Sequence, residues 1–193
     1  KNKIKNLISA ARAYQNNPQL FIINKIVKDG TVSLESKINF NEDGSIKNTY
    51  IIDGNIENLK LELLNQDLIE NINFNFLIKD KEYLIYNLSS IYQSIKIRSN
   101  QIKISNNQHD FKFEGDISNK KGKINSDKFS NFLNDDFKSI FREYLVFTSN
   151  NKFSFKISKK IKISDIKIQS KLSLETLKYS NNIFKRFFPG YKT

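Results

Sequence analysis

Residues 71–78 read NINFNFLI, with asparagine alternating with a large apolar side chain over the first six. Successive side chains of a strand point to opposite faces, so Ile72, Phe74, Phe76 and Ile78 form one row and Asn71, Asn73 and Asn75 the other. One row is dry and one is wet. The function of the chain turns on what the dry row faces.

The same alternation recurs on both sides of this stretch. Val32, Leu34, Ser36, Ile38 and Phe40 share a face before the turn sequence NEDGS, and Leu59, Leu61 and Leu63 alternate with Lys60 and Glu62. Ile95 and Ile97, Ile102 and Ile104, and Phe111 and Phe113 follow. After residue 148 come Phe153, Phe155 and Ile157, then Ile161 and Ile163, Ile166 and Ile168, and Leu172 and Leu174, with a phase shift at Ser164-Asp165 that predicts a bulge or tight turn. Short strands at regular spacing with polar turns between them predict an antiparallel meander.

Two stretches carry a helical period instead. Ile4, Leu7, Ile8, Ala11 and Tyr14 predict an amphipathic helix within residues 1–18, ending at Asn16, Asn17 and Pro18. Asp29-Gly30 then reads as a turn, and the sheet region is expected over 19–125. Phe129, Phe132, Leu133, Phe137, Ile140, Phe141 and Tyr144 make a second stripe, predicting a helix over 126–147 with Ser126 as N-cap and the apolar sheet face as its partner. Further strands are expected over 148–179, and 180–193 is an aromatic and basic tail. The fold class expected is therefore mainly β, a β-rich α+β chain whose twisted antiparallel sheet carries an amphipathic helix on its apolar face.

Composition bounds the chemistry. The 193 residues include no cysteine, so disulfides and thiolate metal sites are excluded, and no methionine, so a chain beginning at Lys1 reads as a segment of a longer protein. No apolar run is long enough to span a bilayer as a helix. The net charge of +12 suggests phosphate-bearing partners, but the lysines that alternate with phenylalanine and isoleucine fall on the opposite face. Lys112, Lys156, Lys162 and Lys167 are cases. Stacking of nucleic-acid bases needs aromatics set among cations, so this segregation argues against nucleic acid.

Catalytic motifs are missing. His109 is the single histidine and reads as a turn residue, no glycine-rich phosphate loop occurs, and the aspartates sit in turn contexts or, as Asp135 and Asp136, point apart on a helix. The chain therefore reads as non-enzymatic, with neither cofactor nor metal. Two readings of the dry face stay open: a groove that accepts a ligand, and a core closed by the protein itself.

The runs GTVSLESKINFNEDGSIKNTYIIDGNIENLKLELLN and ENINFNFLIKDKEYLIYNLSSIYQSIKIRSNQIKISNNQHDFKFEGDI resemble the AsmA-like superfamily of bacterial envelope proteins in their cadence of strand, polar turn and strand. The likeness covers most of residues 30–117, extends to 150–188, and includes no catalytic motif. It implies a segment of a periplasmic bridge anchored in the inner membrane, which carries phospholipid along a hydrophobic β-groove shared with neighbouring repeats of the same chain. On this resemblance the groove-lining residues are Leu59, Leu61, Ile72, Phe74, Phe76, Phe111, Phe113, Phe153, Phe155, Ile166 and Ile168. Each sheltered methylene of an acyl chain contributes about 0.8 kcal/mol there. The basic tail would either meet anionic headgroups at a membrane surface or dock as an ordinary helix end on the next repeat, and the 126–147 helix would plug or cap the groove.

Overall fold

The computed structural model describes residues 1–14, 18–45, 47, 49–63, 67–79, 82–107, 110–125, 141–160, 162–179 and 190. The chain opens with a two-residue strand β1 (Asn2–Lys3) and two helices, α1 (Ile4–Tyr14) and α2 (Pro18–Ile26). Eight strands follow: β2 (Val27–Lys37), β3 (Ile51–Glu62), β4 (Leu68–Lys79), β5 (Glu82–Tyr92), β6 (Ile95–Asn106), β7 (Asp110–Asn125), β8 (Phe141–Ser158) and β9 (Ile163–Tyr179). All nine strands form one antiparallel sheet in sequence order, so the protein is a mainly β meander with a helix on one face. Every neighbour in the sheet is also a neighbour in the chain, the cheapest connection that antiparallel strands allow.

The face assignment of NINFNFLI holds across the sheet because directly paired residues point the same way. Phe74 pairs with Ile56 and Phe76 with Gly54; Phe76 also pairs with Ile85, Ile85 with Ile102, Ile104 with Phe113, Phe113 with Phe155 and Phe153 with Ile168. One apolar face thus runs from β2 to β9. The opposite face carries ion pairs that bridge strands, among them Lys60 to Glu70 at 2.8 Å, Lys103 to Glu82 at 2.7 Å and Lys156 to Asp165 at 2.8 Å. Lys156 hydrogen-bonds Asp165 and lowers that carboxyl's pKa, with the lysine's raised in turn. Seven lysines are answered by carboxylates among the described residues.

Strands this long keep one face dry only because bulges reset their phase. Asn58, Asn71, Asn87, Lys121 and Asp165 have left-handed backbone, and the pairing register shifts beside each of them. Asparagine and aspartate tolerate that conformation better than other side-chain-bearing residues. The wet row holds the bulges in place: Asn58 N–H donates to Asn73 Oδ1 at 2.9 Å, and Asn73 Nδ2 donates to the Asn71 carbonyl at 2.7 Å. Asp116 similarly accepts from the N–H groups of Asn100 (3.2 Å) and Gln101 (3.1 Å), where β6 slips against β7. The Asp165 bulge is the phase shift expected at Ser164-Asp165.

Four expectations are corrected or redrawn. Asp29-Gly30 is no turn but lies inside β2, where Asp29 Oδ1 accepts from the Gly30 N–H at 2.8 Å and Gly30, with φ +137°, lies against Leu59. The sheet region does not begin at residue 19, because Pro18–Ile26 is helical; proline favours the first position of a helix, where its missing N–H costs nothing. Residues 141–147 of the expected 126–147 helix belong to β8, since β7 and β9 offer backbone partners on both sides; residues 126–140 lie outside the described residues. Strands after the interruption therefore start at 141 rather than 148 and run to Tyr179. His109 and the tail, apart from Gly190, are also outside the described residues.

Tyr92 marks one end of β5. Its hydroxyl donates to Asp67 Oδ2 at 3.1 Å and accepts from Gln93 Nε2 at 3.2 Å, and burial, followed by the Asp67 carboxylate, raises its pKa above that of a free phenol. A raised value means that the contribution is complete below about pH 10, the free phenol's range, and is lost as pH rises through the folded value. Stability curves measured in denaturant across that alkaline range should fall for the wild type and flatten in Tyr92→Phe.

Candidate functional site

All eleven groove candidates lie on the one apolar face, but not in one environment. At the β2–β4 end, Leu59 (8% exposed) and Ile72 (6%) join Ile8 of α1 and Val27 in a buried cluster, with Leu61 and Phe74 packed against it beside Ile4, Ile56 and Ile69. The helix does what its spacing predicts: Ile4 and Ile8 are one turn apart and meet the sheet together. This end of the face is covered by the chain itself.

The remaining candidates form a second field. Phe76 lies over Gly54, the residue directly opposite, and meets Phe74 edge-on with ring centroids 6.4 Å apart. On β7 and β8, Phe113 stacks on Phe155 at 4.8 Å, and Phe155 on Phe153 at 5.7 Å. Phe111, opposite Ile157, is half-buried at the margin of this trio. Ile166 and Ile168 on β9 are 62% and 67% exposed, and Leu172 and Leu174 continue the exposed row. Among the described residues nothing covers this end.

Between the two long margins of the face runs a polar band that apolar periodicity did not reveal. Ser90, Ser99, Asn119 and Ser149 are buried, Asn151 is half-buried and Ser170 exposed, and all six share the face of Phe153 and Ile168. Asn119 pairs with Ser149 and Asn151 with Ser170, so the band crosses from β5 to β9 over four strand spacings, about 19 Å. Most of it is internally satisfied. Ser149 Oγ donates to Asn119 Oδ1, Asn119 Nδ2 donates to the Phe147 carbonyl at 2.9 Å, and Asn151 Nδ2 donates to the Ile117 carbonyl at 3.2 Å and Ser149 Oγ at 3.0 Å. Ser99 Oγ is the one buried side-chain polar atom left without a partner among the described residues. The signal in the sequence was phase: Ser149 and Asn151 keep step with Phe153 and Phe155.

Among the side chains described from β5 to β9, none on this face is charged. Lysines and carboxylates of these strands occupy the polar face, as in the pairs Lys103–Glu114, Asp116–Lys152 and Ser154–Lys167, or stand at bulges, as Lys121, Asp165 and Glu175 do. No cluster of His, Cys, Asp or Glu able to hold a metal occurs among the described residues, and none of their helices is long and apolar enough to cross a membrane. Comparison with family models, curated proteins and solved structures returns no match, so the face must be read from its own chemistry.

Proposed function

We propose that the chain is a segment of a bacterial envelope protein that binds or conducts phospholipid on the apolar face of its sheet, between the inner and outer membranes. The observation that carries this reading is the aliphatic and aromatic field of Phe113, Phe153, Phe155, Ile166 and Ile168, which spans three strands, is left open by α1 and has nothing over it among the described residues. An exposed apolar field of that extent marks a place where hydrocarbon or another protein settles. Acyl chains suit it because hydrophobic burial is non-directional, so a chain can shift along such rows without breaking specific bonds. In this reading the protein acts without catalysis in the periplasm, as part of a longer chain anchored in the inner membrane, with neighbouring repeats beside it.

The second reading, a structural envelope domain with a closed core, is favoured by one observation: Leu59 and Ile72 are sealed by the chain's own helix. The two readings separate at Ile168. Because that side chain is largely exposed, Ile168→Asp should leave folding within about 0.5 kcal/mol of wild type. Native mass spectrometry with lipid extraction should find phospholipid on the wild type and at least tenfold less on the variant. A stable wild-type protein that carries no lipid would leave the structural reading standing alone.

A further inference from the structure

The polar band lies beside the lipid field, and two of its groups have hydrogen-bonding capacity left. Asn151 uses both Nδ2 protons within the fold, yet its Oδ1 accepts nothing among the described residues; the Ser170 hydroxyl is likewise unpartnered there. The two residues are direct cross-strand partners, so their Cβ atoms stand about 5 Å apart. One step along each strand on the same face are Phe153 and Ile168, also partners of each other. An acceptor and a donor thus sit side by side at the foot of an apolar field, with no cation on that face of β5–β9 among the described side chains.

We propose that Asn151 and Ser170, backed by Asn119 and Ser149, form a recognition site for the uncharged polar end of an acylglycerol whose hydrocarbon lies along Phe153, Phe155, Ile166 and Ile168. Asn151 Oδ1 accepts from a glycerol hydroxyl, and the Ser170 hydroxyl donates to the neighbouring ester carbonyl. A free fatty-acid anion is bound less well, because it brings no hydroxyl for Asn151 Oδ1 and no described side chain on this face offers its carboxylate a cation. The inference rests on the lipid-binding reading for the hydrocarbon and departs from it at the headgroup: at this site the occupant is an uncharged acylglycerol, with the free hydroxyl on its acylated glycerol that a diacyl phospholipid lacks.

The test is calorimetric titration of the protein at pH 8 with 1-lauroylglycerol and with laurate, which have the same acyl chain and differ in the charge of the polar end. The wild type should bind lauroylglycerol at least tenfold more tightly than laurate, and Asn151→Leu and Ser170→Ala should each cut that preference severalfold. Ser170 is exposed and should fold as alanine even if the Asn151 variant does not. Equal affinity for the two probes, or a preference that survives both substitutions, would overturn the band's role while leaving lipid binding intact. Failure of the wild type to bind either probe would overturn both.

Discussion

Leu59→Asp is expected to undock α1 and destabilise the protein by at least about 3 kcal/mol. Removing a buried leucine side chain alone costs about 2–5 kcal/mol, and a carboxylate placed among Ile8, Val27 and Ile72 adds an unpaired charge in an apolar cluster. That loss is a large part of the 5–15 kcal/mol typical of whole domains. The effect should be visible as a lower denaturation midpoint by circular dichroism, together with early proteolysis within residues 4–26. Leu59→Ala should give a smaller loss of the same kind. A Leu59→Asp protein with a wild-type midpoint would mean that α1 does not seal this end of the sheet.

Gly54→Val should cost about 2–3 kcal/mol by overpacking. A Cβ at this position would stand 2.5 Å from the Ser33 carbonyl oxygen and 2.7 Å from the Phe76 ring, and the first of those neighbours is backbone that cannot step aside. The ring can. The double variant Gly54→Ala with Phe76→Ala should therefore recover only part of the Gly54→Ala loss in a double-mutant cycle, the remainder belonging to the β2 backbone. Full recovery would show that the ring alone excludes a side chain here.

The meander and its dry face were legible because period-two alternation survives in almost every strand, and because turn sequences such as NEDGS fall where the chain reverses. What was lost follows from counting apolar residues alone. In QLFIINKI the apolar run has no clean period, so the helix started by Pro18 passed for sheet. In β8, Phe141 and Tyr144 stand three apart and continue a helical stripe. The register shift between Phe141 and Leu145 lets the same spacing serve a strand, with Leu145 opposite Ile124 and Phe147 opposite Gly122. The eleven candidate residues share one face, and alternation alone shows that; α1's cover over Leu59 and Ile72 depends on contacts between residues fifty and more apart, which local pattern does not encode. The polar band was hidden for a different reason: serine and asparagine look like turn residues until their phase is compared with their neighbours.

The outer edge of β9 carries 17 residues of backbone with no strand beside it among the described residues. A closed barrel fixes its strand number through tilt and stagger, so adding a strand means rebuilding the whole. A meander that stops on an open side has no such arithmetic. It can lengthen by one strand at a time, each needing only a dry row in step with Ile166, Ile168, Leu172 and Leu174. The reach of such a protein can therefore be adjusted in increments of about 5 Å by duplication, with every earlier strand left as it was.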